Sequence, residues 1–287
     1  MNAIKALLLG IIAGITDFLP VSSSGHITLF SNILGVEGEI DLMFIIAIHI
    51  GTMIAVILVY IKPFKRVLKE FAGLCADLSY NIKVAFSHSS GDRRYKKAVR
   101  NQYRKLTVMI LIALIPTAVI GILVTTLSES LVGNLLGSGI GLMVSALLLL
   151  VASFAGNTYK TPHEAKYVDA VLVGAFQGFS GFPGISRMGM TCSSGMLSGF
   201  SLKFTLMFTF LLEIPTVIGA FIVEAIRMRG VVSSVGFLYS FIALIAAAAV
   251  GYFVLSLVKK IFSNASSRIF AVYCFVIGII SIVIYIV

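Results

Sequence analysis

Two short polar segments of this chain carry the side chains that phosphate chemistry uses. The first extends from Pro20 to His26 and contains three consecutive serines, and the second extends from Pro183 to Gly189 and contains a serine followed by an arginine. Both interrupt long apolar stretches. Polar groups are costly at membrane depth and persist where they line a cavity or do chemistry. The two segments therefore predict the two halves of one site for a phosphate group.

The first segment combines hydroxyl groups with a titratable imidazole. The hydroxyls of Ser22, Ser23 and Ser24 are suited to cradle an anion, as are the backbone N–H groups near Gly25. His26 is suited to act as a nucleophile or as a general acid or base near neutral pH. The structural alternatives are close helix packing for the serines and a single hydrogen bond for the histidine.

The second segment supplies a cation. Arg187 presents a planar fork of donors that matches two phosphate oxygens, and Ser186 adds a further donor. Gly189 ends the segment and belongs to the same predicted phosphate cradle. An arginine buried without a partner would be costly, so its alternative role is a simple ion pair with Asp17.

Two acidic residues are candidates to hold a divalent cation. Asp17 precedes the first polar segment, where it is placed to bind the cation or to orient His26. Glu213 lies inside a later apolar stretch and is a candidate for a second carboxylate, with support of a helix kink as its alternative role. His49, inside another apolar stretch, is interpreted as structural.

Membrane helices are the elements that position these residues. Of the 287 residues, 59% are hydrophobic and 12% charged, and the mean hydropathy is +1.04. A soluble core does not absorb so much apolar surface, so the composition predicts an all-α polytopic membrane protein. Six stretches are long enough to span a bilayer, namely 41–61, 106–126, 135–154, 201–224, 236–258 and 269–287.

Two further apolar regions, 3–34 and 168–199, are each broken at the centre by one of the polar segments. Their halves are short, and we predict two re-entrant helix–loop–helix hairpins. Each half of the chain, 1–154 and 168–287, then holds one hairpin and three spans. Because three is odd, the halves of this single membrane domain, 1–287, form an inverted-topology repeat. Five residues recur at an offset of 164, namely Gly10, Gly14, Phe18, Ser22 and Gly25.

The net charge of +10 is concentrated in one segment. Residues 62–105 contain twelve Lys or Arg against three acidic residues. By the positive-inside rule this segment is a basic cytoplasmic loop at the membrane surface, so the charge does not indicate nucleic acid. The same orientation places the acidic segment 37–41 outside and leaves one basic cluster, 227–229, against the trend. Three scattered cysteines predict neither a disulfide nor a zinc site.

The motifs resemble the signatures of the undecaprenyl-pyrophosphate phosphatase (BacA-type) family. The segment from Gly14 to His26 is similar to the first signature, and the segment from Pro183 to Thr191 is similar to the second. Three shorter segments, 48–52, 210–215 and 270–273, are similar to further segments of this family in the same order. The resemblance covers nearly the whole chain and implies the same fold, six spans with two re-entrant hairpins.

The resemblance implies hydrolysis of undecaprenyl pyrophosphate to the monophosphate in the bacterial plasma (inner) membrane. This reaction recycles the lipid carrier of cell-wall synthesis and is linked to bacitracin resistance. The family's catalytic serine and histidine correspond to Ser23 and His26, and its phosphate-binding arginine corresponds to Arg187. The expected partners are this lipid and the membrane lipids, and a homodimer is compatible with the resemblance.

The cation site departs from the family pattern. The family holds magnesium or calcium through two glutamates four residues apart, and the matching positions are Ala13 and Asp17. The expected cation site therefore depends on Asp17, with Glu213 as a further carboxylate. A second interpretation stays open, a non-hydrolytic polyprenyl-phosphate transporter or flippase on the same fold, because transport would not need the acidic pair.

Overall fold

The computed structural model of the chain describes residues 1–40, 42–86, 95–156, 158–227 and 236–287. Five residues that entered the charge pattern lie outside the described residues, namely Asp41, Asp92, Arg93, Arg94 and Arg229. The described residues form helices and no strand. The helices are α1 (Ala3–Thr16), α2 (Ser23–Ile33), α3 (Leu42–Val59), α4 (Ile61–Phe86), α5 (Gln102–Leu127), α6 (Leu135–Ala152), α7 (Tyr167–Gly178), α8 (Arg187–Leu197), α9 (Leu202–Arg227), α10 (Phe237–Ile261) and α11 (Asn264–Ile286).

Five of these helices are long and apolar enough to cross a membrane, namely α5, α6, α9, α10 and α11. They confirm five of the six predicted spans. The remaining predicted span, 41–61, corresponds to α3, which meets the same criterion together with α4, and these two helices are bent by 92° relative to each other. The chain is a multi-pass helical membrane protein.

Each of the two broken apolar regions consists of two short helices. Residues 17–22 separate α1 from α2, and residues 179–186 separate α7 from α8. In the first break Ser22 has a φ of 68°, and among the described residues it is the one non-glycine residue with a positive φ. Such a conformation is strained for a residue with a Cβ and is common at functional sites. In the second break the positive φ of 80° falls on Gly184, which tolerates it.

Glycines allow the closest helix contacts around the broken regions. A Cβ on Gly10 of α1 would lie 2.5 Å from the Ala243 carbonyl oxygen of α10. A Cβ on Gly174 of α7 would lie 2.1 Å from the Ala113 carbonyl oxygen of α5. Because only a hydrogen atom fits at these positions, α1 docks on α10 and α7 docks on α5 at backbone distance.

Most of the segment predicted as a basic loop is helical, since α4 covers residues 61–86. One face of α4 is fixed to the start of α5 through Arg104. The Arg104 guanidinium donates to Glu70 Oε2 at 2.7 Å and to Asp77 Oδ2 at 3.1 Å, and Arg100 also pairs with Asp77. Apolar residues at spacings of three and four favour the helix, a pattern that the loop interpretation did not use.

Gly174→Ala is expected to lower the thermal midpoint of the detergent-solubilised protein, because the added methyl group would force α7 away from α5. Overpacking of this kind costs about 1–3 kcal/mol, which corresponds to a midpoint shift of roughly 2–10 °C. Gly219→Ala in α9 is the matched control, since a Cβ there meets nothing within 4 Å. Equal midpoints for the two variants would contradict the close packing of α7 on α5.

Candidate active site

The two polar segments meet in space. Ser24, in the first turn of α2, accepts a hydrogen bond from the backbone N–H of Gly184, with 3.2 Å between the two atoms. Gly189, in the first turn of α8, lies against the first segment, since a Cβ there would be 3.4 Å from the Pro20 carbonyl oxygen. Each helix start therefore contacts the loop that precedes the other one.

The two helix starts are capped in the same way. The Ser22 hydroxyl accepts from the N–H of Gly25 at 3.2 Å, and the Ser186 hydroxyl accepts from the N–H of Gly189 at 3.0 Å. Helix N-termini carry partial positive charge and free N–H groups, which together attract anions. The structure thus brings two such ends to one place, an arrangement that suits an anion.

A cluster of four buried or half-buried ionisable residues lies beside these helix starts. Arg187 Nη1 donates to Glu213 Oε1 at 3.3 Å, and His49 Nδ1 lies 3.5 Å from Asp17 Oδ2. Asp17 interacts electrostatically with both Arg187 and Glu213, which links the two pairs. We call Asp17, His49, Arg187 and Glu213 the charge cluster. The arginine thus pairs with Glu213 rather than simply with Asp17, and its side chain keeps 25% exposure.

His26 is held at both ring nitrogens. Nδ1 lies 2.8 Å from the Ser22 carbonyl oxygen, and Nε2 lies 2.8 Å from the Tyr273 hydroxyl oxygen. A carbonyl oxygen only accepts, so Nδ1 carries the proton and Nε2 presents its lone pair to the tyrosine. The ring of Tyr273 stacks on the imidazole with 5.6 Å between centroids. The described hydrogen bonds of His26 do not reach Asp17, where the structure places His49 instead.

Two polar atoms of the predicted site residues are buried without a hydrogen-bond partner among the described residues. They are the Ser23 hydroxyl and Asp17 Oδ2. Leaving such groups unsatisfied is costly, so each is ready to receive a ligand atom or a water. Ser23 is 6% exposed, whereas its neighbour Ser24 at the tip is exposed.

A cavity of about 290 Å³ lies between α5, α7 and α9, and Arg187 is part of its wall. Gln177 also lines this cavity and is 1% exposed. Its Nε2 donates to the Thr216 hydroxyl at 3.1 Å, and that hydroxyl uses its own proton on the Leu212 carbonyl oxygen at 2.8 Å. This arrangement fixes the amide with Oε1 free, and Oε1 has no partner among the described residues.

Sequence reasoning did not assign three of these residues, Gln177, Tyr273 and the His49 partner of Asp17. A signal existed for Gln177, because it stands 164 residues after Ala13 at the repeat offset. The sequence predicts that His49 lies within the membrane, but its proximity to Asp17 depends on how α3 packs against the end of α1. The contact of Tyr273 with His26 joins positions 247 residues apart and has no local signal.

The carboxylates partly fit a divalent cation. Magnesium is commonly held by one or two carboxylates together with substrate phosphates and waters. Asp17 Oδ2 is buried and has His49 Nδ1 3.5 Å away but no hydrogen bond among the described residues. Asp17 and Glu213 interact electrostatically, so these two carboxylates suit a cation that a phosphate ligand would complete. Within the described ranges no group of three acidic, histidine or cysteine residues forms a ready-made cage.

Ala13 occupies an apolar environment, which bears on the cation site. It is fully buried and belongs to a cluster with Phe44, Ile48 and Ala243. Ala13→Glu is therefore expected to destabilise the protein by several kcal/mol through burial of a charge. Ala13→Gln, of equal size and neutral, is the matched control and should cost less. A thermal midpoint for Ala13→Glu at or above that of the glutamine variant would contradict this expectation.

The fold and site define a class, namely a multi-pass helical membrane protein with a largely buried arginine–carboxylate cluster where two broken apolar regions meet. The chain belongs to the family described as bacitracin resistance protein BacA, whose family model matches residues 6–280.

Individual relatives agree over most of their length. The chain is 37% identical to the undecaprenyl-diphosphatase of Alkaliphilus metalliredigens over 224 residues, 78% of this chain and 77% of the relative. It is 32% identical to the undecaprenyl-diphosphatase of Methanosphaera stadtmanae over 284 residues, 99% and 98% of the two chains. The protein of the same name from Halothermothrix orenii is 31% identical over 287 residues.

Proposed function

We propose that this protein hydrolyses undecaprenyl pyrophosphate to undecaprenyl monophosphate and inorganic phosphate. The observation that carries the proposal is the contact between the two polar segments beside the half-buried Arg187, in a chain of the BacA family. The relatives named undecaprenyl-diphosphatase support the same reaction. Bacterial cell-wall lipid recycling and bacitracin resistance are the corresponding roles.

The binding step uses the groups that face both helix starts. Arg187 donates to the phosphate oxygens, and the capped N-termini of α2 and α8 add backbone N–H donors beside Gly25 and Gly189. Ser24 and Ser186 hold the two loops in the conformation that exposes these donors. The apolar wall of the cavity next to Arg187 suits the first units of the prenyl chain.

The chemical step transfers the terminal phosphoryl group to a side chain. His26 Nε2 or the Ser23 hydroxyl oxygen attacks the terminal phosphorus, and the bond from this phosphorus to the bridging oxygen breaks. If Ser23 attacks, its proton passes to an oxygen of the phosphoryl group that is transferred. The electron pair leaves with undecaprenyl monophosphate, and Arg187 neutralises the charge that develops. Water then cleaves the phosphorylated side chain and releases inorganic phosphate. A cation held by Asp17 with Glu213 would neutralise further phosphate charge.

We further infer that the two broken regions are re-entrant hairpins in an inverted-topology repeat. Three observations support this arrangement. The bounds of α2 and α8 differ by 164 at both ends. Each helix start contacts the loop before the other. The hairpin helices α1 and α7 dock through equivalent glycines, Gly10 and Gly174, on α10 and α5, which hold equivalent places in the two halves.

The helical membrane fold and the charge pattern support a proposal for the membrane and for the orientation of the protein in it. We propose the plasma membrane, with the basic segment 62–105 on the cytoplasmic side in accordance with the positive-inside rule. Labelling of single cysteines from either side of sealed vesicles tests the orientation. A homodimer in the membrane is a further proposal, which crosslinking at increasing dilution in lipid tests.

A phosphate-release assay on purified protein tests the function. Undecaprenyl pyrophosphate should yield inorganic phosphate, and the variant His26→Ala should not release it. The transporter interpretation would replace the proposal if the purified protein bound the lipid without releasing phosphate and moved it between the leaflets of vesicles. The assay includes farnesyl pyrophosphate as a shorter substrate, which separates recognition of the pyrophosphate from recognition of the chain.

Asp17→Asn is expected to reduce phosphate release at limiting magnesium or calcium by about 10–100-fold, because metal affinity depends on ligand charge. Chelation with EDTA should give a loss of similar size in the wild type and little further loss in the variant. The matched control is Asp169→Asn, a buried carboxylate that pairs with Lys160 and is not a member of the charge cluster. Equal cation titrations for Asp17→Asn and the wild type would exclude Asp17 as a ligand.

A further inference from the structure

Helix α4 leaves the apolar helix α3 at nearly a right angle. One residue, Tyr60, separates the two helices, and they are bent by 92° relative to each other. A helix that follows a spanning helix at this angle runs along the membrane surface. Its 26 residues include five Lys or Arg, which is unlike the composition of the five spans.

One face of α4 is a continuous apolar stripe. Its members follow one another at spacings of three or four residues, so they line the same side of the helix. All of them are exposed, from Phe71 at 43% to Phe86 at 81%. The stripe consists of Leu68, Phe71, Cys75, Leu78, Ile82 and Phe86.

The protein uses a different face of α4 for its internal contacts. Glu70 and Asp77 are bound by the buried Arg104, and Asn81 exchanges hydrogen bonds with the backbone of Lys96. At 3.6 residues per turn the stripe lies roughly 130° around the helix from this packed face. The contacts to α5 therefore fix the rotation of α4 and turn the stripe away from the rest of the described chain.

Exposed lysines flank the stripe and indicate its partner. Lys62, Lys65, Lys69 and Lys83 lie on the side of α4 between the packed face and the stripe. Lysine stems bury along an apolar surface while their ammonium groups reach phosphates. An apolar stripe with a cationic flank matches the boundary of an anionic leaflet, where acyl chains meet charged headgroups.

We propose that α4 is an interfacial anchor, with its stripe inserted at the acyl–headgroup boundary of an anionic leaflet and its lysines on lipid phosphates. Helix α4 follows the apolar helix α3 after one residue, which places it at the membrane surface if α3 crosses the bilayer. The inference does not depend on the proposed phosphatase activity, because it concerns a surface remote from the charge cluster.

The chain contains its own reporter for this test. Cys75 lies in the middle of the stripe and is exposed, whereas Cys192 and Cys274 are buried. The full-length protein is labelled at Cys75 with an environment-sensitive fluorophore and reconstituted into vesicles of phosphatidylcholine and phosphatidylglycerol. Cys75→Ser should take up no label. The matched control carries the label one residue later, in Cys75→Ser/Ala76→Cys, on an exposed position about 100° around the helix.

The Cys75 label is expected to be quenched by nitroxide attached to lipid chains and protected from acrylamide, with quenching by acrylamide roughly fivefold weaker than at position 76. Equal acrylamide quenching at the two positions would overturn the proposal. Protection at Cys75 without quenching by the lipid nitroxide would overturn it as well, since a second copy of the chain would then cover the stripe.

A second arm tests the charge. In wild-type protein, phosphatidylglycerol should protect the Cys75 label from acrylamide more than pure phosphatidylcholine does. The variant Lys62→Gln/Lys65→Gln/Lys69→Gln should lose most of this extra protection. The same three positions changed to arginine keep the charge and should retain it. If the Cys75 label of the wild type were equally protected from acrylamide in both lipid compositions, the assignment to an anionic leaflet would be overturned.

Discussion

Replacement of Arg187 by alanine is expected to reduce phosphate release by at least about 10²–10³-fold, the usual effect of removing a donor that stabilises transition-state charge. Arg187 is the cationic side chain of the charge cluster, and its fork matches the oxygens of a phosphoryl group. Arg187→Lys keeps the charge but loses the fork, so it should recover only part of the activity. The measurement is the rate of phosphate release at saturating lipid.

A control must separate this effect from misfolding. Arg187→Ala leaves Glu213, which is 5% exposed, without its cationic partner, and an uncompensated buried charge is strongly destabilising. The double variant Arg187→Met/Glu213→Gln removes both charges and should regain the thermal midpoint while staying inactive. Activity of the double variant near the wild-type level would refute the role of Arg187 in binding the pyrophosphate.

His26→Ala is expected to reduce phosphate release by about 10²–10⁴-fold, whether the imidazole is the nucleophile or a general acid or base. Tyr273→Phe is the companion variant, because it removes the hydroxyl that occupies Nε2 and leaves the imidazole in place. If His26 is the nucleophile, this variant should keep most of its activity. A loss as large as that of His26→Ala would instead assign the main role to the tyrosine–histidine pair.

The identity of the nucleophile has a direct chemical readout. Brief reaction with lipid labelled in the terminal phosphate, followed by denaturation, should trap a phosphorylated side chain. Phosphohistidine is labile in acid and phosphoserine is stable, so the acid lability of the trapped label distinguishes His26 from Ser23. Label that survives acid and is absent from Ser23→Ala would contradict attack by His26.

The sequence predicted those parts of the fold that depend on a pattern within one segment of the chain. Apolar length located five of the spans, and the polar residues after Thr16 and after Gly178 located both breaks. The recurrence at an offset of 164 pairs Ser22 with Ser186, and both serines cap their helices in the same way. The interpretation of the basic segment 62–105 as a loop rests on its net charge and leaves out the apolar periodicity of α4.

The site was predictable in its residue types and less so in its pairings. The pattern located Arg187 and Asp17 but could not show that Glu213 would bind the arginine or that His49 would approach the aspartate. Each of those contacts joins different helices, and helix rotation and depth decide it. The apolar environment of Ala13 could likewise not be predicted from the sequence, because its apolar neighbours come from α3 and α10.

The hydrogen bond between Ser24 and Gly184 joins positions 160 residues apart, and this separation has a consequence for biogenesis. When the first half of the chain has been inserted, Asp17 has His49 beside it, but Arg187 and Glu213 have not yet been synthesised. Until the second half is inserted, the first half therefore contains the Asp17 carboxylate without Arg187 and the strained Ser22 turn without its contact to Gly184. Truncation after the first half should accordingly yield a protein that is inserted but rapidly degraded, and coexpression of the separate second half should rescue it.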